Sequence, residues 1–330
     1  MSPKIFLTGA TGFIGGDALY LIKQKHPDWQ LTCLVRDEKK GAEISARFPD
    51  TNVVVGSIED VPLVEDLAAK ADIVIHTGDS SHNQVAAQAI GHGMARNPSG
   101  KRRYWLHTSG TGLLGYESRE KNMYGEWNAK EYDDWDNLHE VISHHGAERM
   151  GYVDKIVLES GSDLVKTAIV APAIVYGEGR GICSATRYPL LSGFLPLKKV
   201  FKVGKGENII HYLHVQDLSE LYLLLAEAAV EERDAELWND KGYYIAENGS
   251  FVSREWLQLV ANYGYQKELF TTAELESVTA EEAERLIPFG SVMYGFNSRS
   301  KGIRGKKLLG WEPKMPNFET EVGNLLVENS

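Results

Sequence analysis

Three glycines near the start of the chain have the type and the spacing that a phosphate-binding turn requires. Gly9, Gly12 and Gly15 recur at every third residue within residues 8–16, TGATGFIGG. Glycine forms tight turns and lets the backbone approach a ligand closely. The apolar run just before this segment predicts a buried strand, and the apolar spacing after it predicts a helix. A glycine turn between a strand and a helix is typical of a site for the pyrophosphate of a dinucleotide, which the N–H groups at the start of the helix would bind.

A second candidate site lies where the next apolar run ends, at Arg36 and Asp37. In a dinucleotide-binding fold, an acidic residue here accepts hydrogen bonds from the adenosine ribose, whereas an arginine accommodates a 2′-phosphate. The Arg36 guanidinium offers phosphate a planar, charge-assisted contact, and Lys39 and Lys40 add positive potential. Asp37 leaves the ribose contact open as an alternative. We predict NADP(H) as the cofactor and regard NAD(H) as the less favoured choice.

Strand and helix patterns alternate along the first half of the chain, and they determine where these residues lie. Apolar runs predict further strands at residues 31–35, 52–55, 72–75, 104–106 and 167–170. Helical spacing lies near residues 62–70, 81–96 and 153–161. The alternation predicts an α/β fold, a doubly wound parallel Rossmann sheet with helices on both faces.

Beyond residue 177 the alternation gives way to segments rich in glycine and proline. We therefore predict an NAD(P)-binding Rossmann domain over residues 1–177, to which residues 211–230 return. Residues 178–330 would form a smaller substrate-binding region. Residues 110–147 interrupt the first domain with a polar and aromatic insertion, and insertions of that length are usually functional.

Composition and charge exclude several classes of protein. The chain has 330 residues, 43% of them hydrophobic, and a net charge of -11 at pH 7. That charge disfavours nucleic acid and anionic membranes as partners. No apolar run is long enough to span a membrane, and the first strand begins too early for a leader peptide, so we expect a soluble cytoplasmic protein. The two cysteines and the pair His211 and His214 lack metal-ligand spacing, which predicts no metal site.

Several segments, in their order and spacing, resemble those of the extended and atypical short-chain dehydrogenase/reductases. This superfamily of NAD(P)-dependent epimerases and dehydratases includes the dihydroflavonol-reductase-like enzymes. Residues 8–15 are similar to its glycine motif, residues 55–58 (VGSI) to its adenine turn, and residues 74–78 (VIHTG) to the segment after its fourth strand. Residues 103–109 are similar to its serine-bearing strand, and residues 172–177 (PAIVYG) to its nicotinamide-side turn. The cofactor contacts that the resemblance implies are Gly9, Thr11, Gly12, Phe13, Ile14, Gly15, Arg36, Ser57, Ile58, Gly78, Lys155, Pro172 and Ile174.

The same resemblance implies catalytic roles for Ser109, Tyr152 and Lys155. In the family, the serine hydroxyl stabilises negative charge on the substrate oxygen, the tyrosine donates the proton, and the lysine also binds the nicotinamide ribose. The family places its tyrosine four residues before the lysine, where this chain has Gly151, and Tyr152 is three residues before it. One residue rotates a helical side chain by about 100°, so Tyr152 is not equivalent to the usual tyrosine.

Other side chains are alternative proton donors. The insertion contains Tyr116, Tyr124 and Tyr132, and His107 has an imidazole that titrates near neutrality in water. The sequence leaves the choice between these and Tyr152 open.

We predict from these features an enzyme, an NADP(H)-dependent oxidoreductase that reduces an aldehyde, ketone or imine of a small organic molecule. Two other functions stay open. One is a nucleotide-sugar epimerase or dehydratase, in which Arg180 could contact a substrate phosphate. The other is a non-catalytic regulator that binds NADP. By analogy, the resemblance also suggests a homodimer.

Overall fold

Strands and helices alternate from the first strand onward, as the apolar periodicity predicts. The computed structural model of the chain describes residues 2–143, 149–182, 193–233 and 235–327. The strands are β1 (Lys4–Thr8), β2 (Gln30–Val35), β3 (Asn52–Val55), β4 (Ile73–His76), β5 (Arg103–Thr108), β6 (Tyr132–Asp133), β7 (Val165–Pro172), β8 (Ile174–Tyr176), β9 (Phe201–Val203), β10 (Ile209–His214), β11 (Tyr243–Ala246), β12 (Ser250–Val252), β13 (Glu276–Val278) and β14 (Ser300–Lys301). The helices are α1 (Phe13–Lys25), α2 (Glu38–Arg47), α3 (Val61–Lys70), α4 (Gln84–Ala95), α5 (Tyr116–Glu120), α6 (Leu138–Ser143), α7 (Arg149–Glu159), α8 (Phe194–Leu197), α9 (Val215–Val230), α10 (Ser253–Gln266), α11 (Ala280–Leu286), α12 (Gly290–Gly295), α13 (Arg304–Leu309) and α14 (Phe318–Val327). None of the helices described is both long enough and apolar enough to cross a membrane.

Seven strands form one parallel sheet in the order β11-β7-β5-β4-β1-β2-β3. The strand order reverses beside β1, which pairs with β2 on one side and with β4 on the other. In a doubly wound sheet, the crevice at the carboxyl ends of the strands flanking such a reversal is the usual ligand site. The predicted doubly wound α/β fold is confirmed.

The central strands of the sheet are buried on both faces, and most of their residues are apolar. On β1, Ile5 and Leu7 belong to a core that includes residues of α1 and α9, whereas Phe6 belongs to a core with residues of α3, α4 and α7. Successive side chains of a strand point to opposite faces, so a continuous apolar run fills both cores. This burial holds the carboxyl ends of β1, β2 and β4 in fixed positions.

A third core lies in the later half of the chain and gathers aromatic residues around two small sheets. Those sheets are β12-β10-β8 and β13-β9, and the core includes Tyr176, Phe251, Trp256 and Phe318. The chain then returns to the main sheet, because β11 pairs with β7 at its edge. Sequence periodicity did not identify this seventh strand. The division into two domains stays a prediction.

The insertion is attached to the rest of the molecule in its described part, residues 110–143. Its strand β6 pairs with β14 from near the end of the chain. The buried Asp134 carboxylate then accepts hydrogen bonds from the backbone N–H groups of Ile245, Ile303 and Arg304 at 2.7 to 3.0 Å. The carboxylate thus ties the insertion to β11 and to the segment before α13.

Candidate active site

A cleft of about 940 Å³ opens at the carboxyl ends of β1, β2 and β4. Its wall comes from the glycine turn, the end of β2, the turn after β3 and the turn after β4. The lining residues are Thr8, Gly9, Thr11, Gly12, Phe13, Ile14, Gly15, Leu34, Val35, Arg36, Gly56, Ser57, Ile58, Glu59, Thr77, Gly78, Asp79, Asn83 and Val175. This volume is of the size that ligand pockets have, roughly 300–1,000 Å³.

The glycine turn fits a phosphate group because side chains are excluded from it. Gly9 has a φ of 76°, and a Cβ on Gly15 would lie 2.3 Å from the Thr77 hydroxyl oxygen and 2.4 Å from the Gly9 carbonyl oxygen. Gly12 is the N-cap of α1 and makes no side-chain capping bond. The cap therefore does not occupy the first N–H groups of α1, which can bind a ligand in the cleft. The first turn of α1 carries no acidic side chain that would repel an anion.

Arg36 and Asp37 are neighbours in the chain but make different contacts in the structure. The Asp37 carboxylate is the N-cap of α2 and accepts the Lys40 backbone N–H at 2.8 Å. Arg36 is exposed and lines the cleft, where its guanidinium can meet an anionic group.

The structure brings most of the predicted cofactor residues together. Lining this one cleft are Gly9, Thr11, Gly12, Phe13, Ile14, Gly15, Arg36, Ser57, Ile58 and Gly78. Lys155, Pro172 and Ile174 are not among the lining residues described, and Val175 is the residue of β8 that takes part. Pro172 is buried at the end of β7, and Ile174 pairs with Tyr212 in the small sheet.

Ser109 lies directly after β5 and is 4% exposed. Its hydroxyl donates a hydrogen bond of 2.8 Å to Oδ2 of Asp154, a fully buried residue of α7. The Tyr243 hydroxyl at the start of β11 donates to the same oxygen at 3.2 Å. The residue after β5, helix α7 and strand β11 thus bring a serine hydroxyl, a carboxyl group and a phenol together at Asp154 Oδ2.

Two histidines extend this buried cluster along neighbouring strands. The Nδ1 atoms of His107 on β5 and His76 on β4 are 3.2 Å apart, so one must donate to the other. His107 Nε2 lies 3.7 Å from Oδ1 of Asp154. Both histidines are 0% exposed, and Thr77 and Gly78, which follow His76, line the cleft.

Burial governs protonation in the cluster. Desolvation raises the pKa of Asp154 to about 7, although the hydrogen bonds from Ser109 and Tyr243 act to lower it. Desolvation lowers the pKa of His76 to about 4, and desolvation together with the neighbouring His76 lowers the pKa of His107 well below its usual range. Near neutral pH both imidazoles are uncharged, and Asp154 is the group of the cluster that titrates.

The structure does not bring the other two candidate catalytic residues to Ser109. Tyr152 is 49% exposed and, two residues from Asp154, faces about 160° away from it around α7. The Lys155 side chain is exposed as well, with its ammonium 3.8 Å from the Glu159 carboxylate. The inward side of α7 carries Val153, Asp154 and Val157 instead.

Sequence reasoning missed Asp154. The available signal was a carboxylate between Val153 and Val157, on the apolar side of a helix. Of the alternative donors, His107 lies in the same cluster but is fully buried, and Tyr132 is buried under the Lys130 ammonium.

Arg180 is already paired within the chain. Its guanidinium binds both carboxylate oxygens of the fully buried Asp17 on α1, at 2.7 and 3.0 Å. This pairing disfavours a contact of Arg180 with a substrate phosphate, since Nε and Nη2 are bonded to Asp17. Within the described residues, no group of three histidines, cysteines or acids is placed to hold a metal ion.

Comparisons with known proteins found a matching family, a similar sequence and similar structures. The model of the "NAD dependent epimerase/dehydratase family" matches residues 5–239. A protein named "Oxidase ucsJ", from Acremonium sp, is 31% identical over 335 residues, which cover 98% of this chain and 96% of that protein.

Solved structures show the same fold at low identity. A dTDP-glucose 4,6-dehydratase from Streptomyces venezuelae with NAD bound has a TM-score of 0.67 at 14% identity, covering 98% of this chain and 96% of that one. Yeast methylglyoxal/isovaleraldehyde reductase in complex with NADPH has a TM-score of 0.62 at 14% identity, covering 99% and 98%. At such identities the likeness concerns the fold alone.

Proposed function

Since the chain belongs to the NAD dependent epimerase/dehydratase family, we propose that it is an NADP(H)-dependent oxidoreductase that reduces a carbonyl group or an imine of a small organic molecule. The observation that carries this proposal is the cleft at the strand-order reversal, with its glycine turn and with Arg36 on its wall. A pyrophosphate would lie against the N–H groups at the start of α1. The adenosine end would lie toward β2, where Arg36 is.

We favour NADP(H) over NAD(H) because Arg36 lines the cleft, whereas the Asp37 carboxylate is hydrogen-bonded within the chain. An acid at the end of the second strand would bind the ribose of NAD(H), but the Asp37 carboxylate caps α2 through the Lys40 N–H. Arg36 remains on the cleft wall as a charged partner for a 2′-phosphate.

Ser109 is the residue we assign to the reacting oxygen. When bound, the reduced nicotinamide would supply a hydride to the electrophilic carbon of the substrate. The Ser109 hydroxyl would then stabilise the negative charge that develops on the oxygen. In this proposal Lys155 keeps the role that the resemblance implies, a contact with the nicotinamide ribose.

The direction of the reaction in the cell is a separate matter. The relative from Acremonium is named an oxidase. Hydride transfer is reversible, so a site that reduces a carbonyl compound also oxidises the corresponding alcohol with NADP⁺. Both directions therefore belong in the test.

The test is to follow the oxidation of NADPH with a panel of aldehydes, ketones and imines, and the reduction of NADP⁺ with the matching alcohols. We expect turnover with at least one class of compound. The Ser109→Ala variant should lose about 10²- to 10³-fold in kcat, the usual effect of removing one oxyanion donor, while its Kd for NADPH stays unchanged. Tight binding of NADPH with no turnover of any compound would contradict the proposal.

One observation favours a second candidate, a regulator that binds NADP without turnover. Tyr152 and Lys155 both lie exposed on α7, away from Ser109. For a regulator, Lys155→Ala would leave the biological effect intact as long as the nucleotide still binds. Nucleotide sugars added to the same panel would detect the third option, epimerisation or dehydration.

A further inference from the structure

We propose that Asp154 holds the proton of the reaction and passes it to and from the substrate oxygen through the Ser109 hydroxyl. This inference rests on the proposed function. It assigns the acid–base task to a residue of α7 that is neither Tyr152 nor Lys155. Asp154 acts through Ser109, so it is a positioning and proton-holding residue, while Ser109 touches the reacting oxygen.

The Ser109 hydroxyl is placed to pass a proton between the substrate and Asp154. Ser109 Oγ uses its proton in the 2.8 Å bond to Asp154 Oδ2. A serine hydroxyl has one donor and two acceptor positions, so the oxygen can still accept a bond from a substrate alcohol. A proton can therefore move from the alcohol to Ser109 while the Ser109 proton moves to Asp154.

The second carboxyl oxygen of Asp154, Oδ1, faces a histidine. Asp154 Oδ1 and His107 Nε2 are both buried and, within the described part of the chain, neither has a hydrogen-bond partner. They lie 3.7 Å apart, somewhat beyond hydrogen-bond distance. With its proton on Nε2, His107 presents a donor to Oδ1, which is an acceptor both in the carboxylate and in a carboxyl group whose proton lies on Oδ2 toward Ser109.

The surroundings of Asp154 set a titration near neutral pH. In the described residues the titratable groups that face its carboxyl are His107 on β5 and Tyr243 on β11, with His76 on β4 behind His107. Burial keeps both imidazoles uncharged and raises the pKa of Tyr243 well above its usual value. None of these groups is a cation that would stabilise the Asp154 carboxylate against the loss of its hydration. Its pKa of about 7 suits a group that must both give and take a proton.

In reduction, the carbonyl carbon would gain the hydride that bound, reduced nicotinamide supplies, and the π electrons of the C=O bond would become a lone pair on oxygen. The oxygen takes the Ser109 proton, Ser109 takes the Asp154 proton, and a carboxylate remains. The products are the alcohol and the oxidised nicotinamide, and water restores the proton of Asp154. Oxidation of the alcohol runs the same transfers backward and starts from the carboxylate.

The two directions must therefore have opposite pH profiles. Reduction requires protonated Asp154, so its kcat should be highest below pH 7 and fall about tenfold per pH unit above the pKa of about 7. Oxidation requires the carboxylate and should rise up to that pH and then level off. A residue that only supported the fold would not produce opposite pH dependences of kcat for reduction and oxidation.

The experiment measures these profiles for the full chain and for two variants. Asp154→Asn keeps the shape of the side chain but cannot titrate, and we expect kcat to fall about 10²- to 10⁴-fold with loss of the pH inflection. Tyr243→Phe removes one hydrogen bond to the carboxylate and should move the inflection upward by about one pH unit. NADPH binding, measured by calorimetry, should be unchanged in both variants.

A second readout does not depend on turnover. Carbon-13 NMR of aspartate-labelled protein without nucleotide should show a carboxyl signal that titrates near pH 7, is absent from Asp154→Asn and is shifted upward in Tyr243→Phe. The buried Asp134, whose pKa desolvation raises to about 6, should give a separate signal that both variants retain. A wild-type Asp154 that titrates below pH 5 would overturn the inference, as would an Asp154→Asn variant with unchanged kcat and pH profile. If the wild type binds NADPH and converts nothing, the proposed function fails instead, and this inference falls with it.

Discussion

At the scale of single residues, Arg36 and Asp37 show how neighbouring charges take different roles. Asp37 stabilises α2 as its N-cap, and Arg36 meets the cleft. A carboxylate that already accepts a backbone N–H would have to give up that bond, or share the oxygen, to bind a ribose. Among the described contacts, Arg36 makes no hydrogen bond or ion pair that a ligand would have to replace.

Replacing Arg36 with alanine should weaken NADPH binding about tenfold to a hundredfold, because hydrogen bonds to charged groups contribute about 1.5–3 kcal/mol. Binding of NADH, which has no 2′-phosphate, should change by less than about threefold. Fluorescence titration of both nucleotides measures the two constants. Equal losses for NADPH and NADH would contradict a phosphate contact at Arg36.

The residue types at the end of β2 predict Arg36 as a cofactor contact, and the family resemblance predicts Ser109 as a catalytic residue. The structure places Arg36 at the cleft and Ser109 in the buried cluster. Neither signal pointed to Asp154. Its role depends on which side of α7 turns inward, and a shift of one residue changes that direction by about 100°. Tyr152 and Asp154 are close in the chain, yet one is exposed and the other buried.

At the scale of elements, the unit that matters is β1, the glycine turn and α1, packed against the end of β4. Gly15 lies so close to Gly9 and Thr77 that even a methyl group would collide with backbone. The packing fixes the direction of α1 and hence the position of its N–H groups. Nucleotide binding therefore depends on the absence of a side chain at Gly15.

The Gly15→Ala substitution should reduce stability by about 1–3 kcal/mol through overpacking and lower nucleotide affinity at least tenfold. Gly100→Ala is the control for a methyl group that meets no neighbour, because Gly100, unlike Gly15, has a positive φ of 66° and has no atom within 4 Å of the new methyl group. It should show only the cost of strain, about 1–2 kcal/mol, and normal nucleotide binding. Urea unfolding and calorimetry measure the two effects, and equal binding losses in both variants would argue against the packing explanation.

Hydrophobic periodicity predicts the strands and helices that have a strong apolar pattern or that pair with elements close in the sequence. β1, β2, β4 and β5 are continuous apolar runs, and they lie in the sheet as expected. β11 and the pair β6 with β14 could not be predicted in this way. Each is short and depends on a partner more than seventy residues distant, and such pairing leaves little periodicity to detect.

At the scale of the whole molecule, three cores hold the site together. Two cover the faces of the main sheet, and the third supports the small sheets through which Val175 on β8 reaches the cleft. The Asp134 carboxylate links the insertion to β11, the strand that also supplies Tyr243 to the buried cluster. The cleft and the cluster thus belong to one continuous scaffold around β4 and β5.

The predicted doubly wound sheet accounts for the position of the cleft, because the order of the strands fixes where they reverse. The later half of the chain could not be derived in the same way. Its small sheets join segments that are separated by long stretches of chain, and their aromatic core has no single period.

Calorimetric titration of the full chain with NADPH and with NADH shows whether this cleft binds a pyridine nucleotide. We expect saturable binding of NADPH, at least about tenfold tighter than that of NADH, because a 2′-phosphate adds a charge-assisted contact at Arg36. No detectable affinity for either nucleotide, reduced or oxidised, would contradict both the cofactor site and the proposed reaction.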